Sequence, residues 1–181
     1  MIRRQTKIIE TEHLFLRQLT PADLDALFAF YQDGRVSQYI PDAPQTYAET
    51  ETELLAIMEN YGRYGFGLWA AIDKASGLFI GRCGLIPWTI EGREEVEVAY
   101  ALTPAFWGRG LATEAARAIV QYGLEHLHLP RLICLVLPEN LASIRVALKA
   151  GMNLSGEISV DGLTVLCYSI SRLGQPNKFN L

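Results

Sequence analysis

Between Val96 and Ala115 the chain reads VEVAYALTPAFWGRGLATEA, a strand-like run that feeds a glycine-bearing loop and then a helix-forming stretch. Such a junction can hold an anion. The first N–H groups of a helix have no intrahelical acceptor, the helix dipole adds positive potential there, and glycine lets a phosphate approach the backbone closely. Spacing decides among the known phosphate cradles. A P-loop needs G-x-x-x-x-G-K-[ST], whereas one residue separates Gly108 from Gly110 and no lysine follows. A dinucleotide fingerprint, G-x-G-x-x-G, is met at Gly108 and Gly110 but has Thr113 at its third place, and the strand following the helix ends without an obvious ribose-binding acid until Glu139. A helix capped by a tight glycine turn, without a ligand, is the plain alternative. On the preceding strand, alternation puts Glu95 and Glu97 on one face, as candidate general bases or as plain solvated charges.

The elements that must position these residues follow from periodicity. His13 to Leu19 alternates as a strand. Thr20-Pro21-Ala22-Asp23 then supplies an N-cap, a proline at the first helical position and an acid near the positive dipole end. The predicted helix runs from about Pro21 to Gly34 with Leu24, Leu27, Phe28 and Tyr31 on one face, and a second runs from Tyr47 to Tyr61. Phe66 to Asp73, Leu78 to Trp88 and Arg93 to Thr103 read as an antiparallel meander with Lys-Ala-Ser-Gly and Glu-Gly turns. A helix from Leu111 to about His128, a strand from Arg131 to Leu137 and a helix from Asn140 to Ala150 follow, the last ended by Gly151. Met152 to Val160 and Leu163 to Ser171 flank Asp161-Gly162, a strong hairpin signal. The expected class is a mixed α/β sheet in the order β-α-α-β-β-β-α-β-α-β-β, one domain over 1–173 with a polar tail over 174–181.

The bulk properties limit the functions available. With 181 residues, half hydrophobic and a fifth charged, the chain can bury one good core. A net charge of −4 argues against an extended phosphate-neutralising face, so no nucleic-acid partner is expected. No apolar run approaches the roughly 20 residues of a membrane span, and Met1 to Lys7 lacks a signal-peptide core, so a cytoplasmic protein without a membrane partner is expected. Cys83, Cys134 and Cys167 are far apart in apolar runs and read as buried thiols, with no metal expected.

The run AFWGRGLATEAARAIVQYGLEHL, followed by ENLASIRVALKAGM, resembles the GNAT acetyltransferase superfamily, and within it the RimJ/RimL-like branch of ribosomal-protein N-acetyltransferases. TEHLFLRQLTPADLDALF and the IGRCGL strand resemble the same branch, so the likeness covers nearly the whole chain in order. The superfamily motif Q/R-x-x-G-x-G/A aligns with Trp107-Gly108-Arg109-Gly110-Leu111-Ala112, with Trp at its first position, a form familiar in this branch.

The resemblance implies a GNAT-like acyl-CoA N-acyltransferase fold and acetyl-CoA as co-substrate. The loop from Gly108 through Arg109, Gly110, Leu111 and Ala112 to Thr113 would hold the pyrophosphate on backbone amides, the Thr113 hydroxyl adding a bond. The pantetheine arm would lie between the strand ending at Leu102 and the strand Arg131 to Leu137, pairing with the backbones of Tyr100 and Leu102. Glu97, in the branch pattern E-[IV]-x-Y, would be the base that deprotonates a primary amine, with Glu95 the alternative. A backbone N–H near Tyr100 would meet the oxyanion of the tetrahedral intermediate. The tyrosine that many relatives use for the leaving thiolate is replaced by Ala147, and a glutamate found on the preceding strand by Leu135. Asn140 and Ser143 fit the branch's N-x-x-S instead: Asn140 would cap its helix and touch pantetheine, and Ser143 would donate to the thiolate.

Among the remaining residues, His126 and His128 read as helix-end or surface groups, and His13 carries no functional expectation. Trp69, Trp88, Tyr47, Tyr61 and Tyr64 could wall an acceptor groove, with core packing the plain alternative, and Arg82 is not placed. The expected reaction is direct attack of a primary amine, from a protein N-terminus or a small molecule, on acetyl-CoA. A catalytically silent acyl-CoA-binding or sensing domain is the rival reading, and the final hairpin is a candidate homodimer surface.

Overall fold

Thr46 begins the longest helix by accepting from the Glu49 N–H while Glu49 reaches back to the Thr46 N–H, and Gly65 ends it at φ 77°. Local signals of this kind set most element boundaries, each cap contributing about 1 kcal/mol. The computed structural model describes residues 7–172. In chain order it contains β1 (Lys7–Glu10), β2 (Leu14–Gln18), α1 (Leu24–Gln32), α2 (Gly34–Ser37), α3 (Tyr47–Tyr64), β3 (Leu68–Asp73), β4 (Phe79–Ile90), β5 (Arg93–Leu102), α4 (Leu111–Gln121), β6 (Arg131–Val136), α5 (Leu141–Lys149), β7 (Asn153–Val160) and β8 (Leu163–Ser171). The expected tail at 174–181 and residues 1–6 of the leading segment lie outside the described residues.

All eight strands form one sheet in the order β1-β2-β3-β4-β5-β6-β8-β7. Every neighbouring pair is antiparallel except β5 and β6, which run parallel. The mixed α/β class is as expected, with two additions. The short β1 pairs with β2 and buries Ile9, and a one-turn α2 follows Asp33, whose carboxylate accepts from the Arg35 N–H. Both are too short for periodicity to reveal.

Two helix boundaries move for identifiable reasons. Pro21–Asp23 is a 3-10 turn and not the first α-helical turn, because the Asp23 carboxylate accepts from Thr20 N–H and is held by the Arg17 guanidinium at 2.7 and 2.8 Å. On α1 the buried rings are Phe30 and, as expected, Tyr31, while half-buried Phe28 packs edge-on against Tyr47. The ladder of α4 ends at Gln121 and widens into a π turn over Tyr122–His126, where buried Gly123 lies against Leu132. The hairpin turns behave as their residues require: Asp161 and Gly162 take φ 49° and 80°, Glu91 and Gly92 take 51° and 74°.

The sheet is covered on both faces. Leu85, Val98, Leu102, Leu111, Ala115, Ile119, Leu132 and Ala147 form a core with α4 and α5. On the opposite face Leu27, Phe30, Tyr31, Leu54 and Ile57 of α1 and α3 pack on Leu68, Ala70 and Ile72. Strand β5 serves both, Val98 and Leu102 facing one core, Ala99 and Ala101 the other.

Candidate active site

The backbone of β5 has a fixed parity. Thr103 N–H donates to the Ile80 carbonyl at 2.7 Å and Leu102 lies opposite Gly81, so odd-numbered residues of β5 bond toward β4. Even-numbered residues, Tyr100 and Leu102 among them, therefore turn their N–H and C=O groups toward β6. The ladder between β5 and β6 holds at Glu97 opposite Ile133 and extends no further among the described residues. The two parallel strands thus part at their carboxyl ends, where open α/β sheets bind ligands.

Beyond the split, Thr103-Pro104 leads through a 3-10 turn into the glycine loop. Gly108 and Gly110 take φ 74° and 80°, a left-handed conformation that side chains resist, and Gly110 is the N-cap of α4. The first helical bond of α4 runs from Glu114 N–H to the Gly110 carbonyl, so the N–H groups of Leu111, Ala112 and Thr113 have no intrahelical acceptor. The Leu111 side chain is buried in the core, leaving only its backbone for a ligand. Arg109 is exposed and lies over the Phe106 ring, 5.0 Å from its centroid. Glu114, an acid in that first turn, is drawn aside by His13, whose backbone N–H and Nδ1 each lie 2.8 Å from its carboxylate oxygens. These bonds hold Glu114 below the usual carboxylate range despite partial burial.

Glu97 sits where the strands begin to part. Its carboxylate is buried and accepts from Trp88 Nε1 at 2.7 Å and from the Leu135 N–H at 3.3 Å. Burial pushes its pKa up to about 7, while the two donors and the charge of Arg82 pull the other way. Glu95, its alternative, is paired with Arg131 at 3.6 Å.

On the α5 side, Asn140 caps the helix by accepting from Ser143 N–H at 3.0 Å. The Tyr100 hydroxyl, 2.9 Å from the Ser143 carbonyl, donates to it, and the Ser143 hydroxyl, 3.1 Å away, donates in turn to Tyr100 Oη. Cys134 Sγ lies 3.5 Å from the same oxygen. Burial raises the Tyr100 pKa well above its usual value, so the phenol keeps its proton.

Two sequence expectations need adjustment. Leu102 offers its N–H to the gap, but its carbonyl is taken by Trp107 Nε1 at 2.6 Å, so it cannot pair through both groups without losing that bond. Ser143 Oγ already has a partner, and the Tyr100 side chain, for which only backbone contacts were expected, is that partner. His13 is a contributor that sequence reasoning did not place, and Trp88, named only as a possible groove wall, is instead the donor to Glu97. The register Trp88 opposite Glu95, one same-face position from Glu97, was recoverable from the Glu-Gly turn. The other aromatics divide: Trp69 is buried edge-on to Tyr122, Tyr61 bonds Leu19 N–H and the Leu68 carbonyl, and Tyr47 and Tyr64 are exposed. His126 stacks on Tyr122. All three cysteines are buried free thiols, and burial pushes Cys83 and Cys134 up to about 12.

A sheet split between parallel strands beside a glycine-opened helix defines a class. The acetyltransferase (GNAT) domain family matches residues 13–153, and the chain belongs to that family and is an N-acetyltransferase. Among its relatives, YkkB of Bacillus subtilis is 36% identical over 158 residues, covering 85% of this chain and 89% of YkkB. The N-acetyltransferase YnaD of the same organism is 28% identical, covering 82% and 84%. The acetyltransferase from Agrobacterium tumefaciens superposes with a TM-score of 0.78 at 28% identity over 91% of this chain and 94% of its own. RimL, the ribosomal L7/L12 acetyltransferase, in complex with coenzyme A shares the fold at 0.77 and 17% identity over 92% and 98%.

Proposed function

We propose that the chain moves an acetyl group from acetyl-CoA to a primary amine, of a peptide N-terminus or a small molecule, by direct attack with Glu97 as base. The observation that carries this reading is Glu97 itself: a buried carboxylate at the head of the strand split, with a pKa near 7. A group so poised is ionised for a useful fraction of molecules near neutrality and still basic enough to take an amine proton.

The residues fit the co-substrate. The left-handed Gly108 and Gly110 and the free amides of Leu111, Ala112 and Thr113 suit the pyrophosphate, with Arg109 beside them. The Tyr100 backbone and the Leu102 N–H would pair along the gap, and Asn140, the cap of α5, would touch the pantetheine from its far side. Acetyl-CoA, when bound, supplies an activated acyl group on a thiol of ordinary pKa. The Tyr100 N–H, turned toward the gap, is the donor we assign to the oxyanion on the acetyl carbonyl, worth on the order of 3 kcal/mol. Ser143, held by Tyr100, is the donor for the departing sulfur, its hydrogen swinging away from the phenol.

The test is release of free CoA thiol across a panel of N-terminal peptides and small amines. Glu97→Gln is expected to lower kcat/KM by roughly 10²- to 10³-fold and Ser143→Ala by about tenfold. Undiminished turnover in Glu97→Gln overturns the base assignment, and CoA binding without release from any acceptor favours the silent acyl-CoA binder. A homodimer through the face of the final hairpin, where Leu154 and Leu163 are exposed, is part of the proposal. Light scattering at the 20.2 kDa chain mass overturns that part.

A further inference from the structure

A cavity of about 60 Å³ opens on the face of the sheet that carries Glu97, between the turn joining β4 to β5 and the final hairpin. Its walls are Ile90, Ile133, Ile158 and Cys167, with Glu95 and Arg131 beside them. Register places it there. Glu95 shares a face with Glu97 by alternation, and Ile133 stands directly opposite Glu97 in the parallel contact. Cys167 lies opposite Leu135, the next residue on the Ile133 face. Neighbouring strands are about 4.8 Å apart and alternate residues about 6.6 Å, so the cavity begins within roughly 5–7 Å of Glu97. It lies toward Glu95 and Arg131, whereas the gap between β5 and β6 opens the other way, toward Tyr100 and Leu102. An acceptor nitrogen at Glu97, with its acyl donor in the gap, thus has this cavity behind it.

The lining defines what could enter. Ile133 and Cys167 are 1% and 5% exposed, yet neither packs into the two cores beneath the helices. Burial pushes the Cys167 thiol above its usual value, so it stays protonated and serves as an apolar wall. The charged groups within are already matched: Glu95 and Arg131 stand 3.6 Å apart, with side chains 11% and 14% exposed. Glu91, Arg93 and Glu157 stand at the exposed rim, in water. An entering ammonium or carboxylate would find no unmatched partner and would lose its hydration against isoleucine. An uncharged hydrocarbon group meets neither cost. Volume sets its size. At roughly 15–20 Å³ for each non-hydrogen atom, the cavity holds about three or four of them, an isopropyl or isobutyl group.

We infer that this cavity is a side-chain subsite for the acceptor and selects primary amines whose carbon chain branches, as a short aliphatic group, two or three bonds from the reacting nitrogen. The inference rests on the reading of Glu97 as the base, because Glu97 fixes where that nitrogen stands. A hydrogen bond of about 3 Å to Glu97 and two or three bonds of chain span the distance to the Ile133 wall. Ile158 is a specificity-determining residue in this arrangement, and the chemistry stays at Glu97.

The test is thiol release by the unaltered protein with amines that differ in one respect. 3-Methylbutylamine is compared with ethylamine, cyclohexylmethylamine, 1,4-diaminobutane and 4-aminobutanoate. A parallel set of peptides differs only in a first residue of leucine, glycine, cyclohexylalanine, lysine or aspartate, which separates a small-molecule source of the group from a peptide one. The branched aliphatic member of whichever set turns over is expected to exceed the others in kcat/KM by at least about tenfold, the difference lying mainly in KM. Ile158 is half-buried on the outermost strand, so substitution there spares both cores. Ile158→Phe fills the cavity and should bring the ratio of branched to shortest member toward one. Ile158→Ala enlarges it and should move the preference to the cyclohexyl member, with melting temperature recorded for both. Equal rates across the set, a preference for its charged or shortest members, or a preference unchanged in both variants overturns this inference alone. Absence of thiol release with every acceptor overturns the Glu97 reading and this one with it.

Discussion

Two opposed influences meet on Glu97, and each can be moved separately. Burial raises its pKa, and the Trp88 indole N–H is the strongest of the influences that lower it. The ionised form is the base, so kcat/KM is expected to rise with pH through an inflection near 7 and to level off above it, a limb absent from Glu97→Gln. Trp88→Phe removes a hydrogen bond to a charged group, worth about 1.5 kcal/mol, so the same limb should shift upward by about one pH unit. An inflection that stays in place in Trp88→Phe would separate the limb from Glu97. The acid was legible in the sequence as a type and a position on a face. Its depth, its indole partner and the Leu135 N–H were not, because they depend on how far β5 and β6 part, which no local pattern encodes.

At the scale of elements, the glycine loop and the strand-to-helix corner are the two sensitive joints. Gly110 has nothing within 4 Å of where a Cβ would lie, so the objection to a side chain there is the backbone at φ 80° and whatever ligand the loop holds. Gly110→Ala is expected to cost about 1 kcal/mol of stability. Gly110→Trp should also abolish stabilisation by CoA, which is about 2.7 kcal/mol at 100 times the dissociation constant. Thermal melting with and without CoA reads both, and an unchanged CoA shift in Gly110→Trp would remove the pyrophosphate from this loop. At the other joint, Arg17 and Asp23 form a buried, doubly bonded pair that ties β2 to the entry of α1. Asp23→Ala leaves the arginine uncompensated and should lower stability by about 3–5 kcal/mol. Burial works against the Asp23 carboxylate, but Arg17 and Thr20 prevail and hold its pKa below 3.8. A depressed folded value means the stabilisation is present above the unfolded value and is lost as pH falls through the folded one, so the pair should persist to below pH 3.8 in acid titrations. Turn and cap residues announced the boundaries here because their conformations admit few residue types. The 3-10 start of α1 was hidden, since it follows from a contact with Arg17 on another element.

The molecule as a whole is a continuous eight-stranded sheet with one interruption, and that interruption is where a ligand would complete it. CoA in the gap is expected to slow amide hydrogen exchange at Tyr100 and Leu102 while leaving the β3 and β4 amides unchanged. Equal protection along the sheet would speak for general tightening and against a ligand strand. The single parallel contact at Glu97 and Ile133 was not readable from the chain, although the order of strands and helices around it largely was. Its two outer margins show a different property of the same sheet. Strand β1 is four residues long with a register shift between Lys7 and Ile9, and β7 carries a bulge between Leu154 and Gly156, where Gly156 takes φ 145°. A straight, regular margin would present an uninterrupted row of N–H and C=O groups to any neighbouring chain. Broken margins cannot be extended in register, so a concentrated solution of this protein is guarded against fibrous self-association by the irregularity of its outermost strands.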